Sequence, residues 1–327
     1  MASLDAAAED VAISVVNTSN RDLLRVCLAS LPDACQGLAW SATVVDNAST
    51  DGSAAMVREQ FPWARLLENA VRMGFSANHN QVIRPALGDG RARYLLVLNE
   101  DTELDPDSVR KLVEYADAHP RVGVVGPVIR GTDGDVQPSE FPFPEPLDYG
   151  MNFVLPRRGN RQAPDLKAGS PRWLNGSCLL IRADALRHVG TLDERFFIFF
   201  EDTDLGLRFE QAGWSSAICP TAGIVHHGHQ TVSRASMSMA MERQQLRSTY
   251  LYYDKHYGHG VATRMSAVVR ASFLLRSAKA AIHGRLARSA SERHHAKVLG
   301  QLARYRPSDR LPHEVAAQVR ADERNTS

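Results

Sequence analysis

Apolar residues in the first part of the chain form short runs separated by stretches with helical spacing. The strand-like runs are 11–16, 43–45, 65–67, 94–98 and 122–128. Helical stretches at 21–30, 53–60 and 76–87 separate the first four. The run 94–98 does not alternate, which suits a strand buried on both faces. Strand and helix alternating in this way predict an α/β chain with a mainly parallel sheet. Further helices are expected at 107–118 and 184–189, the latter after a strand at 173–181. The pattern from Met239 onward is helical.

Residues 131–171 break the rhythm. They hold Pro138, Pro142, Pro144, Pro146, Pro156, Pro164 and Pro171 with scattered glycine. Long irregular segments inside compact domains are usually functional or mobile. This one reads as a lid or acceptor-side loop, a plain linker being the simpler alternative.

Three polar clusters interrupt the apolar runs. Arg195, Phe196, Phe197, Ile198, Phe199 and Phe200 lead straight into Glu201, Asp202, Thr203 and Asp204. Leu205, Phe209 and Ala212 follow at helical spacing, with Gly213 as a stop. Acids in a first helical turn are favoured by the helix dipole, which accounts for one or two of them. A carboxylate beside an apolar wall is also a candidate general base. The second cluster is Asn99, Glu100, Asp101, Thr102 and Glu103, at the end of a buried strand. Ligands of open α/β sheets bind at such strand ends, and hard cations such as Mg²⁺ or Mn²⁺ prefer oxygen donors. A solvated turn is the plainer reading. The third cluster runs from Asp46 to Ser53, where Asp46 could accept hydrogen bonds from a base or ribose. Ser49, Asp51 and Ser53 could equally do turn and capping work.

In this order, the clusters resemble family-2 glycosyltransferases of the GT-A fold. The resemblance rests on Thr18, Ser19, Asn20 and Arg21, then Asp46 through Ser53, then Asn69 with Gly74 through Asn80. It continues with Leu98 through Asp101, Gly190 through Phe197 and Glu201 through Leu205. Arg208, Ala212, Gly213, Trp214, His226 and Thr231 complete it. It covers roughly residues 10–258 and looks most like the rhamnosyltransferase branch that builds bacterial surface glycans.

That resemblance implies an inverting transferase using a nucleoside-diphosphate sugar, with dTDP-rhamnose favoured and UDP-sugars open, and a glycan or polyprenyl-linked acceptor. It implies Asp202 as the base, with Glu201 as the competing candidate. Asp204 would orient the helix start or the acceptor. Asp101 and His226 would hold Mg²⁺ or Mn²⁺, while His227 and His229 compete with His226 on chemistry alone. Thr18, Asn20, Asp46, Asp51, Asn78 and Asn99 would serve the donor; Trp173 and Gly176 would face the acceptor. The chain departs from the family at Ser19, where an aromatic is usual, so a stacking surface for the base is lost. Rival readings are a sugar-nucleotide nucleotidyltransferase and a non-catalytic donor-binding scaffold.

Composition narrows the setting. A net charge of +1 over 327 residues gives no nucleic-acid signature. Cys27, Cys35, Cys178 and Cys219 show no paired spacing, which argues against a zinc cluster or disulfide framework and for a reduced, cytoplasmic setting. No apolar run approaches the roughly 20 residues of a spanning helix. The expected organisation is a flexible N-terminus at 1–10, a nucleotide-sugar half at 11–105, an acceptor and catalytic half at 106–238, and a basic helical extension at 239–327. Within the extension, the stretch from Lys255 to Ser291 contains no acid. Its basic residues do not share one helical face. Peripheral contact with an anionic membrane and a solvated helical tail both fit that pattern.

Overall fold

The computed structural model describes residues 9–147, 170, 172–228, 239–286 and 290–306. Most of the proline-rich segment expected as a lid, together with His229, Thr231 and residues 1–8, lies outside the described residues.

The chain divides into two compact units. The first comprises Met1–Phe143, Gln162–Glu194 and Glu201–Val232; the second comprises Pro144–Arg161, Arg195–Phe200 and Ser233–Ser327.

The first unit is built on a nine-stranded mixed sheet. Its strands are β1 (Glu9–Asn17), β2 (Trp40–Asp46), β3 (Arg65–Glu68), β4 (Ala92–Asn99), β5 (Thr102–Leu104), β6 (Val122–Arg130), β7 (Val136–Gln137), β10 (Cys178–Arg182) and β11 (Ser215–His226). The order is β3-β2-β1-β4-β10-β6-β11-β5, with β7 paired to β6. A separate ribbon joins β8 (Glu140–Phe141) to β9 (Trp173–Leu174). The helices of this unit are α1 (Arg21–Ala34), α2 (Ser53–Gln60), α3 (Phe75–Asp89), α4 (Ser108–Ala118), α5 (Ala183–Val189) and α6 (Glu201–Gln211).

The unbroken apolar run in β4 is explained by helices on both sheet faces. Tyr94, Leu96 and Leu98 enter one core with Leu24, Leu28 and Leu112 of α1 and α4. Leu95 and Val97 enter the other with Ile83, Leu186, Leu205 and Phe209 of α3, α5 and α6. The four cysteines are buried and free. Burial pushes the thiols of Cys27 and Cys35 up to about 12, which leaves them unreactive.

Three features depart from the expected elements. The sheet is parallel across β3, β2, β1 and β4, but β10 runs antiparallel to both β4 and β6. The single strand expected at 173–181 is two strands, β9 and β10, parted by a turn at Asn175–Gly176–Ser177. Strand β11 was not expected at all. Its sequence carries Pro220 and Gly223, and its register on β6 shifts between Cys219 and Gly223, an irregularity that hides the period of two. A Cβ at Gly223 would displace the end of the Asp105 side chain, which pairs with Arg130. The halves expected at 11–105 and 106–238 share this one sheet.

The second unit contains α7 (Met239–Tyr257), α8 (His259–Leu286) and α9 (Ala290–Arg304). Val269 and Phe273 of α8 pack with Leu299, Leu302 and Ala303 of α9. The aromatic run before α6 belongs to this unit and is anchored on α7. The Ser248 hydroxyl donates to the Ile198 carbonyl at 2.8 Å, and Phe200 lies 5.2 Å from Tyr252 between ring centres. Among the described residues, no helix is long and apolar enough to cross a membrane.

Candidate active site

Register alone gathers the polar strand tips. Asn17 stands opposite Asp46 across β1 and β2, and Val16 opposite Asn99 across β1 and β4. These are the carboxyl ends of parallel strands. Because β10 is antiparallel, its entry turn, Gly176 and Ser177, arrives at the same edge. The Asn99 amide donates to the Ser177 carbonyl at 2.9 Å and ties the two together.

The β2 tip is a closed polar turn. Asn17 donates to the Asp46 carboxylate at 3.1 Å and to the Ser49 hydroxyl at 3.0 Å. The Ser49 amide donates to the other Asp46 oxygen at 3.0 Å. Ser19, at φ 56°, donates its amide to the Ser49 hydroxyl. Asn47 clamps the next loop, accepting from the Met73 amide at 2.7 Å and donating to the Met73 carbonyl at 3.0 Å. The same amide reaches the Thr18 hydroxyl at 3.3 Å. Asn17 and Asn47 were not singled out from the sequence. The only signal was an asparagine at each strand tip, and its meaning lies in contacts nearly thirty residues away.

The β4 tip carries Glu100 and Asp101. Glu100 is not the simple surface acid that its sequence context allows: Asn20 donates to it at 2.9 Å, and burial raises its carboxyl above the usual range. Asp101 is buried, with an oxygen 3.3 Å from His226 Nε2. That meeting is a product of strand pairing. β11 runs antiparallel to β5 with His226 opposite Thr102, and the His227 amide donates to the Asp101 carbonyl at 2.8 Å. The His227 ring, one residue beyond the end of β11, lies 3.3 Å from Glu103 instead.

Asp202 sits in the first turn of α6. One carboxylate oxygen accepts from the Thr203 amide at 2.7 Å and the other from the Gly176 amide at 3.2 Å. Burial raises its pKa to about 6, opposed by those backbone hydrogen bonds. Glu201 is buried, and burial together with the neighbouring Asp202 charge pushes its carboxyl well above the usual range. The backbone immediately before them is strained. Phe199 and Phe200 both take left-handed conformations, with φ 70° and 69°; for aromatic residues this is uncommon and recurs at functional sites. Helix α6 fits closely on β9, since a Cβ on Gly206 would lie 2.9 Å from the Trp173 Cβ.

Three expected roles need correction. Asp204 is fully buried and ion-paired to Arg208 at 2.9 Å, so it does not face an acceptor. Arg208 also donates to the carbonyls of Val189, Gly190 and Thr191, stapling the end of α5 to α6. Asn78 is buried and braces Asn69 and the Met73 carbonyl, so it supports the loop between β3 and α3 from behind. Asp51 closes its own turn, accepting from the Arg21 amide and from Ser53. What approaches the bare backbone at Gly176 is the Asp202 carboxylate, 3.4 Å from where a Cβ would stand. Trp173 stacks on Phe141 with ring centres 4.8 Å apart and donates its indole N–H to the Pro142 carbonyl.

The Arg208 staple makes a stability prediction. Arg208→Ala breaks the ion pair with the buried Asp204, and breaking a buried pair costs about 3–5 kcal/mol. The thermal unfolding midpoint is expected to fall by roughly 10 °C. A midpoint within about 2 °C of the parent in a calorimetric scan would contradict this account of the pair.

Comparison with known proteins agrees with this fold. A solved mannosyltransferase, PcManGT from Pyrobaculum calidifontis in complex with GDP-Man and Mn²⁺, superposes with a TM-score of 0.51 at 16% identity, over 98% of this chain and 90% of that one. The fold is thus GT-A: a mixed sheet flanked by helices, followed by C-terminal helices. The family model for glycosyl transferase family 2 matches residues 10–190. An N-acetylglucosaminyl-diphospho-decaprenol L-rhamnosyltransferase of Mycobacterium tuberculosis is 35% identical over 257 residues, covering 72% of this chain and 82% of that protein. Rhamnosyltransferase WbbL of Escherichia coli is 27% identical over 190 residues, or 55% of this chain and 69% of that protein. The chain belongs to glycosyl transferase family 2, in its rhamnosyltransferase-like branch.

Proposed function

We propose that the protein is an inverting glycosyltransferase that moves a sugar, with dTDP-rhamnose as the favoured donor, onto a polyprenyl-diphosphate-linked or glycan acceptor in cell-surface polysaccharide synthesis. The single observation that carries the mechanism is Asp202. It is a half-buried carboxylate with a raised proton affinity, held by two backbone amides on the sheet edge where Asp101 meets His226. Donor and acceptor classes are drawn from the mycobacterial relative, which by name transfers L-rhamnose to a decaprenol-linked acceptor.

Asp202 takes the proton of the acceptor hydroxyl as that oxygen attacks the anomeric carbon. The bond to the diphosphate breaks on the opposite face, and nucleoside diphosphate departs. The donor half, residues 11–105, uses Thr18, Asn20, Asp46 and Asn99; Asp51 and Asn78 hold those loops. The half at 106–238 supplies the base and, with Trp173 and Gly176, the acceptor side.

The Asp101–His226 pair suits a divalent cation. Its 3.3 Å spacing is close to the separation of about 3 Å between neighbouring ligands of an octahedral Mg²⁺ or Mn²⁺. No group of three or more His, Cys, Asp or Glu able to hold a metal occurs among the described residues. Mg²⁺ commonly takes only one or two carboxylates and completes its shell with water and diphosphate oxygens. When bound, such an ion would stabilise charge on the leaving diphosphate.

A donor panel tests the reading. The protein is incubated with nucleotide sugars, Mg²⁺ or Mn²⁺ and a polyprenyl-diphosphate N-acetylglucosamine acceptor, and the product is weighed by mass spectrometry. The expected result is addition of one deoxyhexose with release of dTDP. Release of pyrophosphate would point to a nucleotidyltransferase, and donor binding without turnover to a scaffold.

A further inference from the structure

We infer that the outer face of α8 is a docking surface for an anionic lipid bilayer. Three of the seven exposed large hydrophobic side chains among the described residues lie on this helix: Leu274 at 57%, Leu275 at 71% and Ile282 at 57% exposure. At 100° per residue, Ala267, Ala271, Leu274, Leu275, Ala278 and Ile282 fall within an arc of about 100°. All six are exposed. The stripe is about 22 Å long at the rise of an α-helix.

The opposite face is already used. Val269 and Phe273 pack with Leu299, Leu302 and Ala303 of α9. So α8 is apolar on both sides, and among the described residues only one side is covered. A solvent-facing helix normally has a polar outer face, so an exposed stripe this long points to a partner.

Charge identifies that partner. The helix contains no Asp or Glu, and Arg264 and Lys279 are exposed with the stripe. Arg270 is turned inward, donating to the Ala303 carbonyl at 2.9 Å. An apolar strip with cations and no anions matches the boundary between acyl chains and anionic headgroups. Two copies of the same face would bring like charges together, which disfavours self-association through it. The helix would lie on the bilayer without crossing it, consistent with its being too polar to span. This surface does not depend on the identity of the catalytic base or donor.

The test is flotation of the full chain with vesicles of phosphatidylglycerol and phosphatidylcholine, against phosphatidylcholine alone. At low salt the bound fraction is expected to be about tenfold higher on the anionic vesicles, and to fall as salt shortens the screening length. The combined variant Leu274→Glu, Leu275→Glu and Ile282→Glu should float at background level. Its helix content and unfolding midpoint should match the parent, because these side chains are exposed. Lys279→Glu alone should lower binding several-fold. If the triple variant does not fold, Leu275→Glu, at the most exposed of the three, decides by the same readout. The inference is overturned if the parent ignores anionic vesicles, or if the charged variants float like the parent. It is also overturned if sedimentation shows a parent dimer that the triple variant splits, which would give the face to a second copy. Vesicle binding that appears only after removal of residues 307–327 would give it to that segment.

Discussion

Replacing Asp202 by asparagine is expected to lower turnover about 10²–10⁴-fold, the usual worth of a general base, while donor affinity stays nearly unchanged. The amide keeps the shape of the carboxylate and can still accept one of the two backbone N–H groups that hold it. It cannot take a proton. Asp46 and His226 end strands β2 and β11, and Asp101 lies in the turn between β4 and β5, so none is touched. Calorimetric donor binding and nucleoside-diphosphate release, measured on the same preparation, separate the two effects. Glu201→Gln is expected to be milder, because Glu201 already holds its proton tightly beside the Asp202 charge. A dead Glu201→Gln with an active Asp202→Asn would reverse the assignment.

The pH profile carries the same information. A carboxyl whose affinity for a proton is raised to about 6 is an effective base above that pH and is lost below it. The rate is therefore expected to fall as pH drops through about 6, and this acidic limb should vanish from the residual activity of Asp202→Asn. The stability sign is opposite. A folded-state pKa raised from 3.8 to about 6 means a contribution that is full below the lower value and lost as pH rises through the upper. At neutral pH the ionised Asp202 thus costs stability, so removing its charge should relieve strain that catalysis requires.

The second large effect is expected at the Asp101–His226 pair. Chelation with EDTA should abolish transfer, and Mg²⁺ or Mn²⁺ should restore it. Asp101→Ala should lower turnover by about 10²–10³-fold or more, the scale of losing one electrostatic stabiliser of a developing negative charge. It should also remove the metal dependence of nucleoside-diphosphate binding, which is measurable without turnover. His227→Ala should be nearly silent, since its ring meets Glu103 and not Asp101. Full activity in EDTA would sink the metal assignment, and equal losses at His226 and His227 would undo the distinction between them.

Much of the first unit was legible because its signals are local. The non-alternating β4 run could only be a strand covered on both faces, and the acids after it could only stand at its carboxyl end. Helix starts at Arg21, Ser53 and Ser108 fell within one residue of expectation, because turn residues and helical spacing lie in the same short window. The ordered clusters also sufficed for family and fold. Pairing was not legible. That β10 runs antiparallel, that a bulged β11 with Pro220 and Gly223 reaches β5, and that His226 rather than His227 meets Asp101 all depend on registers between segments about 80 to 120 residues apart. The roles of Asp204 and Asn78 were hidden for the same reason. A carboxylate or amide looks alike in sequence whether it faces substrate or is sealed against Arg208 or Asn69, and burial is a property of the packed whole. In α8, composition established the absence of acids. Only the packing of α9 against one side decided which apolar residues were left for a partner.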